Sequence, residues 1–149
     1  MRKINLIVLH CSATRETMEY TPEQLERDHK ARGFFSAGYN YYIRRSGEVV
    51  PMRPPEQIPA HAKGYNAFSL GICYEGGLDA DGHPKDTRTE RQKLSIRGLL
   101  LLLLVRYPGC RICGHRDLSP DRNGDGKITR DEWLKECPCC DAEEEYGIL

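Results

Sequence analysis

The side chains of this sequence with the types to hold a reactive metal are His10, His115 and Cys137. Two imidazoles and a soft thiolate are ligands that zinc favours, and three protein ligands leave a fourth tetrahedral position open to water. That is the count of a hydrolytic centre rather than a structural one. Spacing alone does not establish it, because no two of the three stand at the short interval of a self-contained metal motif. The elements that carry them must do the gathering.

Residues 4–9 are apolar at nearly every position and partly β-branched, which predicts a central strand covered on both faces. His10 then falls at its carboxyl end, where open α/β sheets collect their ligands. Cys110 to Cys113 reads as a short strand that delivers His115 to the same edge. Pro138 biases Cys137 toward extended backbone, and residues two apart in an extended segment point the same way, so Lys135 and Cys137 should face one site.

The remaining elements follow from local signals. Thr21-Pro22-Glu23-Gln24 predicts a capped helix start, with the helix running to about Arg32 and stopped by Gly33; His29 lies on its core edge. Residues 39–43 and 46–50 read as a β-hairpin whose alternation sends Tyr39, Tyr41 and Ile43 to one face and Asn40 and Tyr42 to the other. Pro51 to Pro59 holds four of the nine prolines and must be an extended connection. Ser69 to Tyr74 is a second buried strand. His83 belongs to a solvated turn between Asp79 and Lys85. A helix from Thr89 to about Arg106 is apolar almost all round in its second half. That predicts cover on more than one side, by the sheet and, should the chain self-associate, by a neighbouring subunit; a monomer is otherwise expected.

Asp121 to Glu132 matches a twelve-residue EF-hand loop, with oxygen ligands at positions one, three and five (Asp121, Asn123, Asp125), Gly126 at six and Glu132 at twelve. Leu118-Ser119-Pro120 cannot supply a regular entering helix, and Thr129-x-x-Glu132 is equally a capping box for a following helix. The loop either binds calcium or is pinned by its own hydrogen bonds, and in both cases it is expected to fix the helix that presents Lys135 and Cys137.

At 149 residues the chain is expected to be one α/β domain, residues 1–149, with a central mixed β-sheet flanked by helices and the EF-hand-like insertion at 121–132. Lys plus Arg and Asp plus Glu both number 22, so bulk charge gives no reason to seek nucleic acid or an anionic membrane. The first apolar run is short and interrupted by Asn5, unlike a signal peptide, and Leu99 to Val105 is too short to span a bilayer. Synthesis in the cytoplasm without membrane insertion is the expectation. Seven cysteines do not suggest a complete disulfide framework. Four of Cys110, Cys113, Cys137, Cys139 and Cys140 could instead form a four-cysteine structural zinc site, a reading that leaves His10 and His115 without a purpose.

Taken together, Leu9-His10-Cys11-Ser12-Ala13-Thr14, Gly38-Tyr39-Asn40, His61-Ala62-Lys63-Gly64-Tyr65-Asn66, Gly71-Ile72-Cys73, Gly114-His115-Arg116-Asp117 and Lys135-Glu136-Cys137-Pro138 resemble, in order, the zinc-dependent type-2 N-acetylmuramoyl-L-alanine amidases. That family includes amidase-type phage lysozymes and the related peptidoglycan recognition domains. The resemblance implies Zn2+ on His10, His115 and Cys137, Tyr39 and Lys135 as catalytic residues, and His61 in the substrate groove; Arg116 and Asp117, beside His115, are expected to orient the ligands, as metal-bound histidines usually require. It also implies peptidoglycan as substrate, cut between N-acetylmuramic acid and L-alanine; such an enzyme is expected to reach the wall after release or by non-classical export. The insertion at 121–132 departs from the phage lysozymes, in which a much shorter link is expected. The competing reading is a non-catalytic muropeptide-binding domain; such domains typically lack the cysteine ligand, so Cys137 argues against it.

Overall fold

The computed structural model describes residues 2–149. Its strands and helices are β1 (Leu6–Cys11), β2 (Thr14–Arg15), α1 (Pro22–Ala31), β3 (Tyr41–Ile43), β4 (Val49–Pro51), β5 (Ser69–Tyr74), β6 (Gly77–Leu78), α2 (Glu90–Arg106), β7 (Arg111–Gly114) and α3 (Ala142–Tyr146). Five of the strands form one sheet in the order β4-β3-β5-β1-β7. β1 runs parallel to both β5 and β7, β3 is parallel to β5, and only β4 is antiparallel to its neighbour. This is the mixed central sheet expected from the sequence. Every residue of β1 and β5 is buried, as strands covered on both faces require.

Alternation along β1 divides its side chains between two layers. Ile7, Leu9 and Cys11 pack with Ile96 and Leu100 of α2 and with Tyr146 of α3. Leu6 and Val8 turn to the opposite face, beside Cys113 and Leu118. A third cluster, of Leu25 from α1 with Ala37, Tyr42 and Cys73, covers another part of the sheet. His10 shares the face of Leu6 and Val8, and its register partner Cys73 belongs to the third cluster. The polar strand end therefore lies between two apolar patches.

Both helix starts are capped: Thr21 with Gln24, as predicted, and Thr89 with Gln92 form reciprocal capping boxes. Three departures from expectation follow. Within this chain α2 is covered on one side only: Leu94, Leu102 and Val105 are 72%, 71% and 81% exposed, while Ile96, Leu99, Leu100 and Leu103 bury the single inner stripe. The helix expected after the 121–132 loop is also missing; Arg130–Glu132 makes one 3-10 turn, and residues 133–140 are irregular. The third departure is in the hairpin. Tyr39 packs in the cluster of Tyr42, not with Tyr41 and Ile43. The break is at Asn40, whose side chain takes over backbone bonding: its Oδ1 accepts from the Gly71 N–H at 2.9 Å and its Nδ2 donates to the Arg53 carbonyl at 3.1 Å. That break turns Tyr39 toward His10.

Candidate metal centre

One ligand atom from each of His10, His115 and Cys137 lies within 4.8 Å of the other two. Cys137 Sγ is 3.8 Å from His10 Nδ1, and the rings of His10 and His115 are 4.5 Å apart between centroids. Tetrahedral zinc with ordinary bond lengths sets sulfur and nitrogen about 3.6 Å apart and two nitrogens about 3.4 Å apart. The three donors are thus spaced to share one small ion, and their chemistry suits zinc. His10 is buried, whereas His115 and Cys137 are partly exposed, so the group is open on one side. The rival four-cysteine site does not form: Cys110 packs on the α2 side of the sheet and Cys113 on the other.

The three arrive by different routes. His10 is carried by β1, and His115 opens the 3-10 turn directly after β7. Cys137 comes from the irregular tail, which is pinned at several points. The Arg116 N–H donates to the Cys137 carbonyl at 2.9 Å, the Tyr74 hydroxyl donates to the Pro138 carbonyl at 2.6 Å, and the Leu134 N–H donates to Ser119 Oγ at 3.0 Å. Gly114 permits this docking, since a Cβ there would stand 2.6 Å from Pro138 Cδ. The Cys11 N–H points at Cys137 Sγ from 3.3 Å, a donor suited to a thiolate. Arg116 and Asp117 act through the backbone and not on the imidazoles: Asp117 accepts from the Gly114 N–H at 2.7 Å, and the Arg116 guanidinium lies over the Trp133 ring.

A cleft of about 240 Å³ joins His10, His115 and Cys137 with Tyr39, His61 and Lys135. The expectation that Lys135 and Cys137 face one site holds in this arrangement. An adjoining cleft of about 270 Å³ shares His61, His115 and Lys135 and extends over Ala62, Lys63 and Tyr65. The Tyr39 ring stands 5.0 Å from that of His10.

Electrostatics keep the imidazoles neutral, the form in which they bind metals. Burial, then the neighbouring His61, His115 and Lys135, holds His10 well below the usual histidine range. Burial and the Lys135 charge push His115 down to about 4, and burial with the nearby His115 takes His61 to about 3. Tyr39 moves the other way: desolvation first, then the adjacent Cys73 and Cys137, raise its phenol well above the ordinary value, so it stays a hydrogen-bond donor.

His61 occupies the site, with both ring nitrogens engaged inside the protein. Its Nδ1 is 2.7 Å from His10 Nε2, and its Nε2 is 2.9 Å from Ser69 Oγ. Any contact with a substrate is left to its carbon edge. Ser69 and Gly71 were not singled out individually from the sequence as site residues; a glycine inside a buried strand, marking a close approach, was the available signal. His29 is structural, its Nδ1 accepting from the Gly38 N–H at 2.7 Å. His83 stays on the surface turn expected for it.

In the 121–132 loop, carboxylate oxygens of Asp121, Asp125 and Glu132 also converge within 4.8 Å. The loop holds itself as well: Asp121 accepts from Gly124 N and Gly126 N, Asp125 from Lys127 N, and Glu132 from Arg122 N.

The sequence family described as N-acetylmuramoyl-L-alanine amidase matches residues 1–132. An endolysin of Klebsiella phage KP32 is 40% identical over 114 residues, which are 76% of this chain and 76% of that protein. An endolysin of Enterobacteria phage K11 is 38% identical over 127 residues, 85% of this chain and 83% of that one. The structure of the N-acetylmuramoyl-L-alanine amidase LysC from Clostridium intestinale URNW superposes with a TM-score of 0.73 at 27% identity, covering 97% of this chain and 82% of that one. Drosophila PGRP-LB shares the fold, with a TM-score of 0.69 at 20% identity over 93% of this chain and 76% of its own.

Proposed function

The chain belongs to the N-acetylmuramoyl-L-alanine amidase family, and on that premise we propose that it is a zinc hydrolase of peptidoglycan. The bond cut joins the lactyl group of N-acetylmuramic acid to the first L-alanine of the stem peptide. The convergence of His10, His115 and Cys137 in one cleft with Tyr39 and Lys135 carries this reading.

His10, His115 and Cys137 would hold the ion. Zinc bound there supplies an acidified water and Lewis-acid help to the amide carbonyl. The residues of the chain do the rest. The Tyr39 phenol, kept protonated by its surroundings, donates to the carbonyl oxygen as that atom gains negative charge. The Lys135 ammonium at the exposed mouth adds a positive charge to the same oxygen, and one of the two side chains relays the proton lost by the attacking water to the departing alanine nitrogen. The adjoining cleft over Ala62, Lys63 and Tyr65 gives a sugar-peptide chain a place to lie. The enzyme acts on the cell wall after release, a reading its likeness to phage endolysins supports, and it is taken to work as a monomer. The 121–132 loop either takes a calcium ion between Asp121, Asp125 and Glu132, which their convergence and the twelve-residue pattern support, or stands on its own hydrogen bonds.

The test is the metal content of the purified protein together with release of free amine from cell walls. About one zinc per chain is expected, with amide cleavage abolished by chelation and by Cys137→Ala while the fold survives. Cleavage that persists in Cys137→Ala would remove the metal assignment.

A further inference from the structure

We propose that His61, backed by Ser69, is a positioning residue that decides which nitrogen of His10 faces the ion. The inference rests on the zinc reading above and gives His61 a task other than gripping substrate.

His10 turns Nδ1 toward Cys137 Sγ, 3.8 Å away, and Nε2 toward His61 Nδ1, 2.7 Å away. The nitrogen on the metal side must be bare to bind, so the His10 proton belongs on Nε2 and is donated to His61 Nδ1. His61 must then carry its own proton on Nε2, where Ser69 Oγ accepts it at 2.9 Å. One assignment of protons satisfies the whole chain from Ser69 to His10. The opposite tautomer of His61 would set two N–H groups against each other over 2.7 Å.

The surroundings are built to hold this ring. The Asn66 side-chain carbonyl accepts from the backbone N–H groups of both His61 and Ala62, each at 2.9 Å, and so fixes the loop. Ser69 is fully buried at the start of β5. Gly71, two residues on and pointing the same way, leaves space for the imidazole, since a Cβ there would lie 2.7 Å from His61 Cγ. Metal-bound histidines generally require such a partner on the other ring nitrogen, and losing it typically weakens metal binding about 10- to 100-fold.

The experiment measures zinc affinity of the full chain by chelator competition, with the visible spectrum of the Co2+-substituted protein, for wild type, His61→Ala, His61→Asn and Ser69→Ala. His61→Ala should bind zinc about 10- to 100-fold more weakly and shift the cobalt bands. His61→Asn, whose amide oxygen replaces the Nδ1 acceptor, should recover most of the affinity and the spectrum. Ser69→Ala should weaken zinc in the wild-type background and have no effect beside His61→Asn, which cannot reach Ser69. If His61→Ala does not fold, the last two variants still decide. Unchanged zinc affinity in His61→Ala with a raised KM would overturn the proposal in favour of substrate contact, and equal losses in the Ala and Asn variants would overturn it in favour of packing. A wild-type chain that binds no zinc removes the metal reading itself, a result distinct from these.

Discussion

Replacing Gly71 by alanine puts a methyl group where the His61 ring stands. Built on the existing backbone, the new Cβ lies 2.7 Å from His61 Cγ and 2.8 Å from Cδ2, well inside ordinary contact. Restoring about 3.4 Å requires a relative shift of about 0.7 Å. A shift of that size away from His10 would open the His61–His10 hydrogen bond from 2.7 Å to about 3.4 Å, beyond the ~3.2 Å limit for such bonds. Taken instead by β5, it disturbs a strand paired on both sides by β1 and β3. Overpacking of this kind costs about 1–3 kcal/mol. Against it stands the gain of about 0.4–1 kcal/mol that a Gly→Ala change brings by restricting the unfolded chain. The midpoints, about 2 and about 0.7 kcal/mol, leave a net loss of about 1.3 kcal/mol, a fall in Tm of roughly 3–5 °C for a domain of this size. Zinc affinity should fall with it, as His10 loses its aligned acceptor. Thermal melts with and without zinc, and chelator competition, read both quantities. A Gly71→Ala protein that melts at or above the wild-type temperature and keeps its zinc affinity would refute the reasoning.

Tyr39→Phe should lower kcat about 10²- to 10³-fold, the usual cost of one donor to a developing oxyanion, with metal content unchanged; near-normal turnover on cell walls would take Tyr39 out of the chemistry. The metal-free protein should lose stability as pH falls from about 6.5 toward 4. His10, His61 and His115 all have lowered folded-state pKa values, so in that window the unfolded chain binds more protons and acid favours it; a Tm flat across the window would contradict the burial argument. Saturating calcium should raise Tm by roughly 5–10 °C, and Glu132→Gln should abolish the rise. Absence of any shift in the wild type means that the loop stands on its own hydrogen bonds.

What was legible in the sequence is what short-range chemistry decides. Thr21 with Gln24 and Thr89 with Gln92 cap their helices through partners three residues away, and each start could be read from four letters. The continuous apolar character of β1 and β5 likewise announces burial on both faces. The failures lie where a distant group competes with a local rule. Asn40 breaks the hairpin alternation because Gly71 and Arg53 offer its amide better partners than solvent does, and both are supplied by tertiary folding. The 129–132 capping box makes one turn and stops, since the tail is then claimed by Ser119, Arg116 and Tyr74. His61 was legible as a site residue by resemblance. Its engagement with both His10 and Ser69 depends on how a loop folds back on β5, which no spacing encodes.

Several polar groups around the cleft are paired within the protein, although the buried Arg116 Nε and Trp133 Nε1 are not, and the pairing bears on the reading of the three donors. His61 has two partners, Asp117 takes the Gly114 N–H, and Asn66 takes two backbone donors. His10 Nδ1 and Cys137 Sγ face each other at 3.8 Å, long for a strong direct hydrogen bond and close to the ~3.6 Å edge of a zinc tetrahedron. Polar atoms brought together in a protein interior carry a desolvation cost unless something satisfies them. Here the fold spends a central strand end, the turn after β7 and a tail anchored at four points to assemble two imidazoles and a thiol with one open side. The match to the family stops at residue 132, so the thiol and Lys135 come from chain beyond it. Docking that tail is therefore the step that completes the centre, and a bound ion linking His10 to Cys137 across 127 positions of sequence would in turn secure the tail.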